Sequence, residues 1–289
     1  MDWMKNLSEA QKQLPISQLA IPGSHDSGAF YLDRNGPLSP GEEPMFQFVK
    51  PAVYNWSITQ SLDFEGQLNI GIRYFDLRIA PHPETQELCV VHALFGNEIK
   101  PVLYEIKSFL HHHPSEVVIL DFNHLLGFTE ESNSKLISMI TDCFGAKLAG
   151  RRNSFDATSL SSLLKAGKQV IVFYAKETTN EFLWSEKLIC NPWPNVQTTG
   201  ELVKCLDSGI AEKTQGACYV SQGVLTPVLK TCLFHLMATL KSWENDCGLY
   251  NGILEWINKP DVAKQINIVF TDFVDEQFVQ TVIKCNDKN

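Results

Sequence analysis

Several features that would direct a chain into or across a membrane are missing here. No run approaches the roughly 18 consecutive apolar residues that a spanning helix needs, and the amino terminus places Asp2 and Lys5 where a secretory signal would need an apolar stretch. Position 2 is Asp rather than Gly and the last four residues hold no prenylation cysteine, so neither lipidation signal is present. Positive charge is in short supply: 24 Lys and Arg face 33 Asp and Glu, for a net charge of −9. That balance argues against nucleic acid as a partner and against broad adhesion to anionic membrane. The eight cysteines form no CxxC pair and no metal-ligand spacing with histidine, and they read as reduced thiols. Internal repeats, low-complexity tracts and dividing linkers are also lacking. A cytoplasmic, unanchored, monomeric protein made of one domain over residues 1–289 is the expectation.

What is present is a rhythm. Short β-branched runs, Gln18–Ser24, Ile72–Ala80, Leu88–Leu94, Val117–Phe122, Val170–Tyr174, Cys218–Val224 and Ile266–Asp272, predict strands. Amphipathic stretches at Ser61–Asn69, Pro101–His112, Glu130–Phe144, Ser159–Lys165, Thr199–Ser208, Leu225–Ser242 and Asp275–Cys285 predict helices between them. Alternating βα units at this length, close to the ~250 residues of one barrel, imply an α/β fold, an irregular TIM-type (β/α) barrel. Tyr31–Tyr54, rich in proline, reads as a long loop after the first strand.

Ionisable residues gather where such barrels carry chemistry, at the carboxyl ends of strands. The first strand ends in Ile-Pro-Gly-Ser-His25-Asp26, and the second contains Ile-Arg-Tyr-Phe-Asp76-Leu-Arg78. Strand alternation puts Tyr74, Asp76 and Arg78 on one face and Phe75, Leu77 and Ile79 on the other. A carboxylate and a guanidinium then point into the barrel, as a buried ion pair or toward a charged ligand. His92 closes the third strand. Alone, His25 reads as a turn cap and His92 as a core histidine; together with Asp76 and Arg78 they make a constellation suited to acid–base chemistry.

The strings Ile-Pro-Gly-Ser-His-Asp, Gly71-Ile-Arg-Tyr-Phe-Asp-Leu-Arg, Val91-His92 and Thr271-Asp272-Phe273 resemble the X domain of phosphatidylinositol-specific phospholipase C, and vertebrate PI-PLC X-domain-containing proteins in particular. The resemblance implies a PI-PLC X-domain-like barrel that hydrolyses a phosphoric diester, converting phosphatidylinositol to diacylglycerol and inositol cyclic phosphate. It implies His25 as general base toward the inositol 2-hydroxyl and His92 as general acid toward the leaving oxygen, the two starting in opposite protonation states. By similarity to the bacterial members, Asp272 supports His25 and Asp26 supports His92, while Arg78, held by Asp76, grips the phosphate. Signalling-type eukaryotic members carry calcium-binding carboxylates at the positions of Asp76 and Arg78. Because an arginine cannot ligate a cation, no metal or other cofactor is expected, and calcium independence follows.

No motif locates the inositol contacts. Strand ends offer Asp121, Asn123, Tyr174, Lys176, Ser221 and Gln222, with Lys176 preferred. The lipid substrate implies transient contact with a membrane surface, to which Trp184–Trp193 contributes indoles unless it packs over the barrel rim. The His111-His112-His113 tract before Pro114 reads as a helix end rather than a metal site. Two other functions stay open: a catalytically silent inositol-lipid or inositol-phosphate binding protein on the same barrel, and a different barrel phosphodiesterase of the glycerophosphodiester type.

Overall fold

The computed structural model describes residues 1–214, 216–234 and 238–288. Among the described residues ten strands form: β1 (Ile21–Ser24), β2 (Tyr74–Pro81), β3 (Leu88–His92), β4 (Leu94–Glu98), β5 (Val118–Leu125), β6 (Val170–Tyr174), β7 (Leu183–Ser185), β8 (Ile189–Cys190), β9 (Cys218–Gly223) and β10 (Ile268–Thr271). Eight of them run side by side in the order β7-β6-β5-β2-β1-β10-β9-β8, with every neighbouring pair parallel. This is a nearly closed, irregular α/β barrel of the TIM type, with helices around it.

Side-chain alternation divides the core into two layers. Phe75, Leu77, Ile79, Leu120, Phe122, Val172 and Tyr174 face outward into one apolar cluster with the surrounding helices. Ile21, Tyr74, Ile119, Ile171, Phe173, Val220, Ile268 and Phe270 fill the barrel interior. Trp3, Met4 and Leu7, from the first short helix and the residue that caps it, plug the amino end of that interior. The backbone N–H groups of Met4 and Lys5 reach Glu116, whose carboxylate pairs with the buried Arg73 at 2.9 Å.

Gly23 is where the interior is tightest, since a Cβ there would sit 2.7 Å from Cδ1 of Tyr74. Gly71, at a φ of 119°, ends helix Phe64–Ile70 and turns the chain into β2.

Three expectations need correction. The third predicted strand is not a barrel strand: β3 returns antiparallel along β2, pairing Ile79 with Val90 and Pro81 with Leu88, and turns directly into β4. β2 overshoots the barrel rim and folds back, so His92 reaches the mouth from the opposite direction. The proline-rich segment after β1 is partly helical, with a 3₁₀ turn at Pro44–Val49 and an α-helix at Lys50–Ser57, and bridges at Leu32–Gly96 and Leu38–Leu94 pin it to β4. The helix expected over Leu225–Ser242 is two shorter ones, Leu229–Phe234 and Leu240–Asp246; residues 235–237 of that stretch lie outside the described residues.

Candidate active site

The interior positions of the strands end in polar residues at the carboxyl mouth. Above Gly23 stands His25, above Tyr74 stand Asp76 and Arg78, above Ile119 stand Asp121 and Asn123, above Val220 stands Gln222, and above Phe270 stands Asp272. These residues and His92 line one cavity of about 600 Å³. Its outer wall is more apolar, with Trp56, Ile189, Trp193, Val224, Leu225 and Leu240.

Asp26 is the hub. Its Oδ1 lies 2.6 Å from Nε of Arg78, and its Oδ2 lies 3.3 Å from Nε2 of both His25 and His92. The other nitrogen of His25, Nδ1, is 2.7 Å from Asp272, while Nδ1 of His92 is 2.8 Å from the carbonyl oxygen of Ser57. Nδ1 of His92 thus donates to a carbonyl, while its Nε2 faces the carboxylate of Asp26. The two rings are 6.2 Å apart at 74°, open between them toward the cavity.

Arg78 is held differently from the expectation. Asp26 is its close partner, and Asp76 lies 4.0 Å away. Asp76 instead accepts the backbone N–H of Asp26 at 2.9 Å and the amide of Asn123, so it fixes the residue that fixes the arginine.

Electrostatics follow from crowding charges in a buried place. Burial alone would lower the pKa of His25, but the negative charges of Asp26 and Asp272 outweigh it and raise it to about 9. Arg78 works against that rise, and its Nη2 lies 3.1 Å from Nε2 of His25, a hydrogen bond only for a ring bare at that nitrogen. At neutral pH the charged ring prevails, and His25 is freed for work as a base when its proton leaves and Arg78 donates instead. Burial resists ionisation of Asp76 too, yet Arg78 and His25 keep its carboxyl below the usual range. Asp121 has no such cation; burial pushes it up to about 7 despite a 2.6 Å hydrogen bond donated by the hydroxyl of Tyr74.

The backbone around these residues is strained. Asp26, Ala93 and Phe273, each at or beside a site residue, have φ of 38°, 58° and 49°. A left-handed Ala or Phe costs about 1–3 kcal/mol, and such strain persists where the surroundings impose it. The segment after helix Lys50–Ser57 does the imposing. Thr59 accepts the N–H of Phe273 at 2.6 Å, and the Gln60 amide donates to the carbonyl of His25 at 2.8 Å.

Donor atoms of His25, Asp26 and Asp76 lie within 4.8 Å of one another, close enough for a cation. The guanidinium of Arg78 lies in the same neighbourhood, 2.6 Å from Asp26.

A profile for "Phosphatidylinositol-specific phospholipase C, X domain" matches residues 53–176. The chain is 38% identical over 300 residues to PI-PLC X domain-containing protein 2 of Mus musculus, covering 99% of this chain and 87% of that protein. The chain belongs to the PI-PLC X domain-containing family. Protein 3 of Homo sapiens is 37% identical, with 99% and 93% of the two chains covered. Among solved structures, the phosphatidylinositol-specific phospholipase C from Listeria monocytogenes superposes with a TM-score of 0.71 at 17% identity, covering 98% of this chain and 97% of that one. That likeness shows that the X-domain chain shares the bacterial enzyme's fold.

Within this X-domain barrel the six residues expected to carry chemistry, His25, His92, Arg78, Asp26, Asp76 and Asp272, come together, as do Asp121, Asn123 and Gln222. Tyr174 and Lys176 do not. Both have the outward parity of β6: Tyr174 is buried against the helices with its hydroxyl on Asn133, and Lys176 lies against the ring and carbonyl of Phe128. Ser221 likewise has outward parity on β9. Asn191, which accepts from Gln222 at 2.6 Å, and Trp193 complete the cavity wall opposite the histidines. Trp184 packs inside with its indole on the Ala149 carbonyl, whereas Trp193 is 62% exposed. His112 donates to the carbonyl of Ser108 at the end of its helix, and His113 pairs with Asp2.

Proposed function

We propose that this chain is a phosphodiesterase of the phospholipase C type that cleaves phosphatidylinositol without calcium. The observation that carries the reading is a single carboxylate, Asp26, touching both histidines and the arginine. A phosphodiester drawn to Arg78 comes to lie between two imidazoles that face the same cavity. Neutral His25, its Nδ1 proton directed to Asp272, takes the proton of the inositol 2-hydroxyl. That oxygen bonds to phosphorus as the bond to the glycerol oxygen breaks, and His92 protonates the departing oxygen to release diacylglycerol. Charge on the non-bridging oxygens is met by Arg78, a contribution worth roughly 3 kcal/mol for one well-placed donor.

Asp121, Asn123, Gln222 and Asn191 form a polar wall able to hydrogen-bond ring hydroxyls, with Asp121 near its protonation midpoint at neutral pH. Among the described residues no lysine or arginine besides Arg78 lines the cavity, which favours an inositol ring without further phosphates. Arg78 beside the clustered donors also favours this reading over a metal-dependent glycerophosphodiester enzyme. Among the described residues no helix is long and apolar enough to cross a membrane, so reaching a lipid falls to the exposed mouth.

Turnover of micellar phosphatidylinositol by the native protein tests the reading. His25→Ala and His92→Ala should each lower kcat by at least about a thousandfold with the fold intact by circular dichroism. Full activity in either variant would overturn the two-histidine mechanism, and bound lipid with no turnover by the native protein would favour a silent binding protein.

A further inference from the structure

Behind Asp272 lies a second cavity, of about 370 Å³, and Asp272 lines both. A carboxylate that forms a partition between two open spaces lacks the packing that would hold its plane, yet Asp272 must stay aimed at Nδ1 of His25, 2.7 Å away. The residue on its far side is Glu244, from helix Leu240–Asp246, which is 95% buried by a relative exposure of 5%. Its carboxyl lies within hydrogen-bonding reach of Asp272, and its buried Oε1 has no hydrogen-bond partner.

Two carboxyl groups can share a hydrogen bond only around a proton. The charged groups nearby decide which holds it. Asp272 faces His25 and, beyond it, Arg78, both cationic. Glu244 faces Asp272, Cys247 and, across the cavity, Asp275, which accepts from the Tyr250 hydroxyl at 2.7 Å. The cation lining that cavity, Lys241, donates to Ser61 and stands over the Phe273 ring. Burial and the negative charge of Asp272 accordingly push Glu244 well above the usual carboxyl range.

We infer that Glu244 is a positioning residue for the base: a neutral carboxylic acid that donates to Asp272 and clamps that carboxylate against His25. It also shares the charge of Asp272, so His25 is a weaker base than an undivided carboxylate would make it. The clamp rests on the proposed role of His25, but its geometry is readable without turnover.

The test is a histidine ring titration by NMR on the full chain labelled in histidine, with the His25 signals assigned by their loss in His25→Ala. The readout is compared among the native chain, Glu244→Gln and Glu244→Met. Glutamine still donates an N–H to Asp272, and the pKa of His25 should stay within about 0.3 unit of native. Methionine fills the space without donating, which leaves the full charge of Asp272 on His25 and raises its pKa by about 0.5–1 unit. Should the methionine variant not fold, Glu244→Ala carries the same expectation.

A lowered His25 pKa in both variants would mean that Glu244 is ionised, and no change in either would mean that it only fills space; each result overturns the clamp. In parallel, kcat of Glu244→Met should fall about tenfold with KM little changed. A native protein that turns nothing over would sink the phosphodiesterase reading while the titration still decides the clamp.

Discussion

At the scale of residues, the site depends on which carboxylate touches which cation. Position along the strands was legible: parity alone put Asp76 and Arg78 inside the barrel with Tyr74. The same rule, applied to β6, would have sent Tyr174 and Lys176 outward, since Ile171 and Phe173 are the interior residues there. Glu244 and Gln60 left no trace in the sequence, because helix and loop residues that brace a strand end are brought there by tertiary packing rather than by local pattern. The raised pKa of His25 has a kinetic consequence. A base that is charged at rest must lose its proton before it acts, so kcat/KM should climb with pH on an acid limb belonging to His25, up to about pH 9. Asp272→Asn removes one of the two charges that raise that value. Its pH–rate profile should show the acid limb displaced toward lower pH, with a lower plateau; a limb that stays in place would deny Asp272 its effect on the base.

At the scale of elements, strands long enough to alternate were readable and short ones were not. β7 and β8 span three and two residues, too few for any period to emerge. The β3–β4 hairpin looked like one strand, because Ala93 takes up the reversal in a single left-handed residue with no glycine or proline to mark it. The helix at Lys50–Ser57 was hidden by the prolines around it, although Pro51 sits in its first turn where proline is tolerated. The close approach of β1 to β2 at Gly23 gives a test at this scale. Gly23→Ala would push on the ring of Tyr74, which in turn holds Asp121. Urea denaturation should show a loss of about 1–3 kcal/mol, together with weaker substrate binding in KM. An unchanged midpoint would mean that β1 and β2 can part without cost.

At the scale of the whole molecule, the proposed lipid substrate would have to be reached by an acidic chain with no net positive charge to rely on. Exposed apolar groups are available instead: Phe48 is 89% exposed and Met45 53%, on the turn leading into the helix whose end holds His92. Large side chains so exposed gain by entering an interface. The double variant Met45→Ala with Phe48→Ala should lower cleavage of phosphatidylinositol in vesicles about ten- to thirtyfold, from roughly 2 kcal/mol of lost burial. Cleavage of a monomeric short-chain substrate should be nearly unaffected, and equal losses on both would place these residues in folding rather than docking.

The central claim, that two histidines work around a phosphate gripped by Arg78 without calcium, comes down to product and metal dependence together. Phosphorus NMR of the purified protein with phosphatidylinositol vesicles in EDTA measures both. The signal of an inositol cyclic phosphate should grow at a rate that added calcium does not change; turnover that stops in EDTA and returns with calcium would contradict the account.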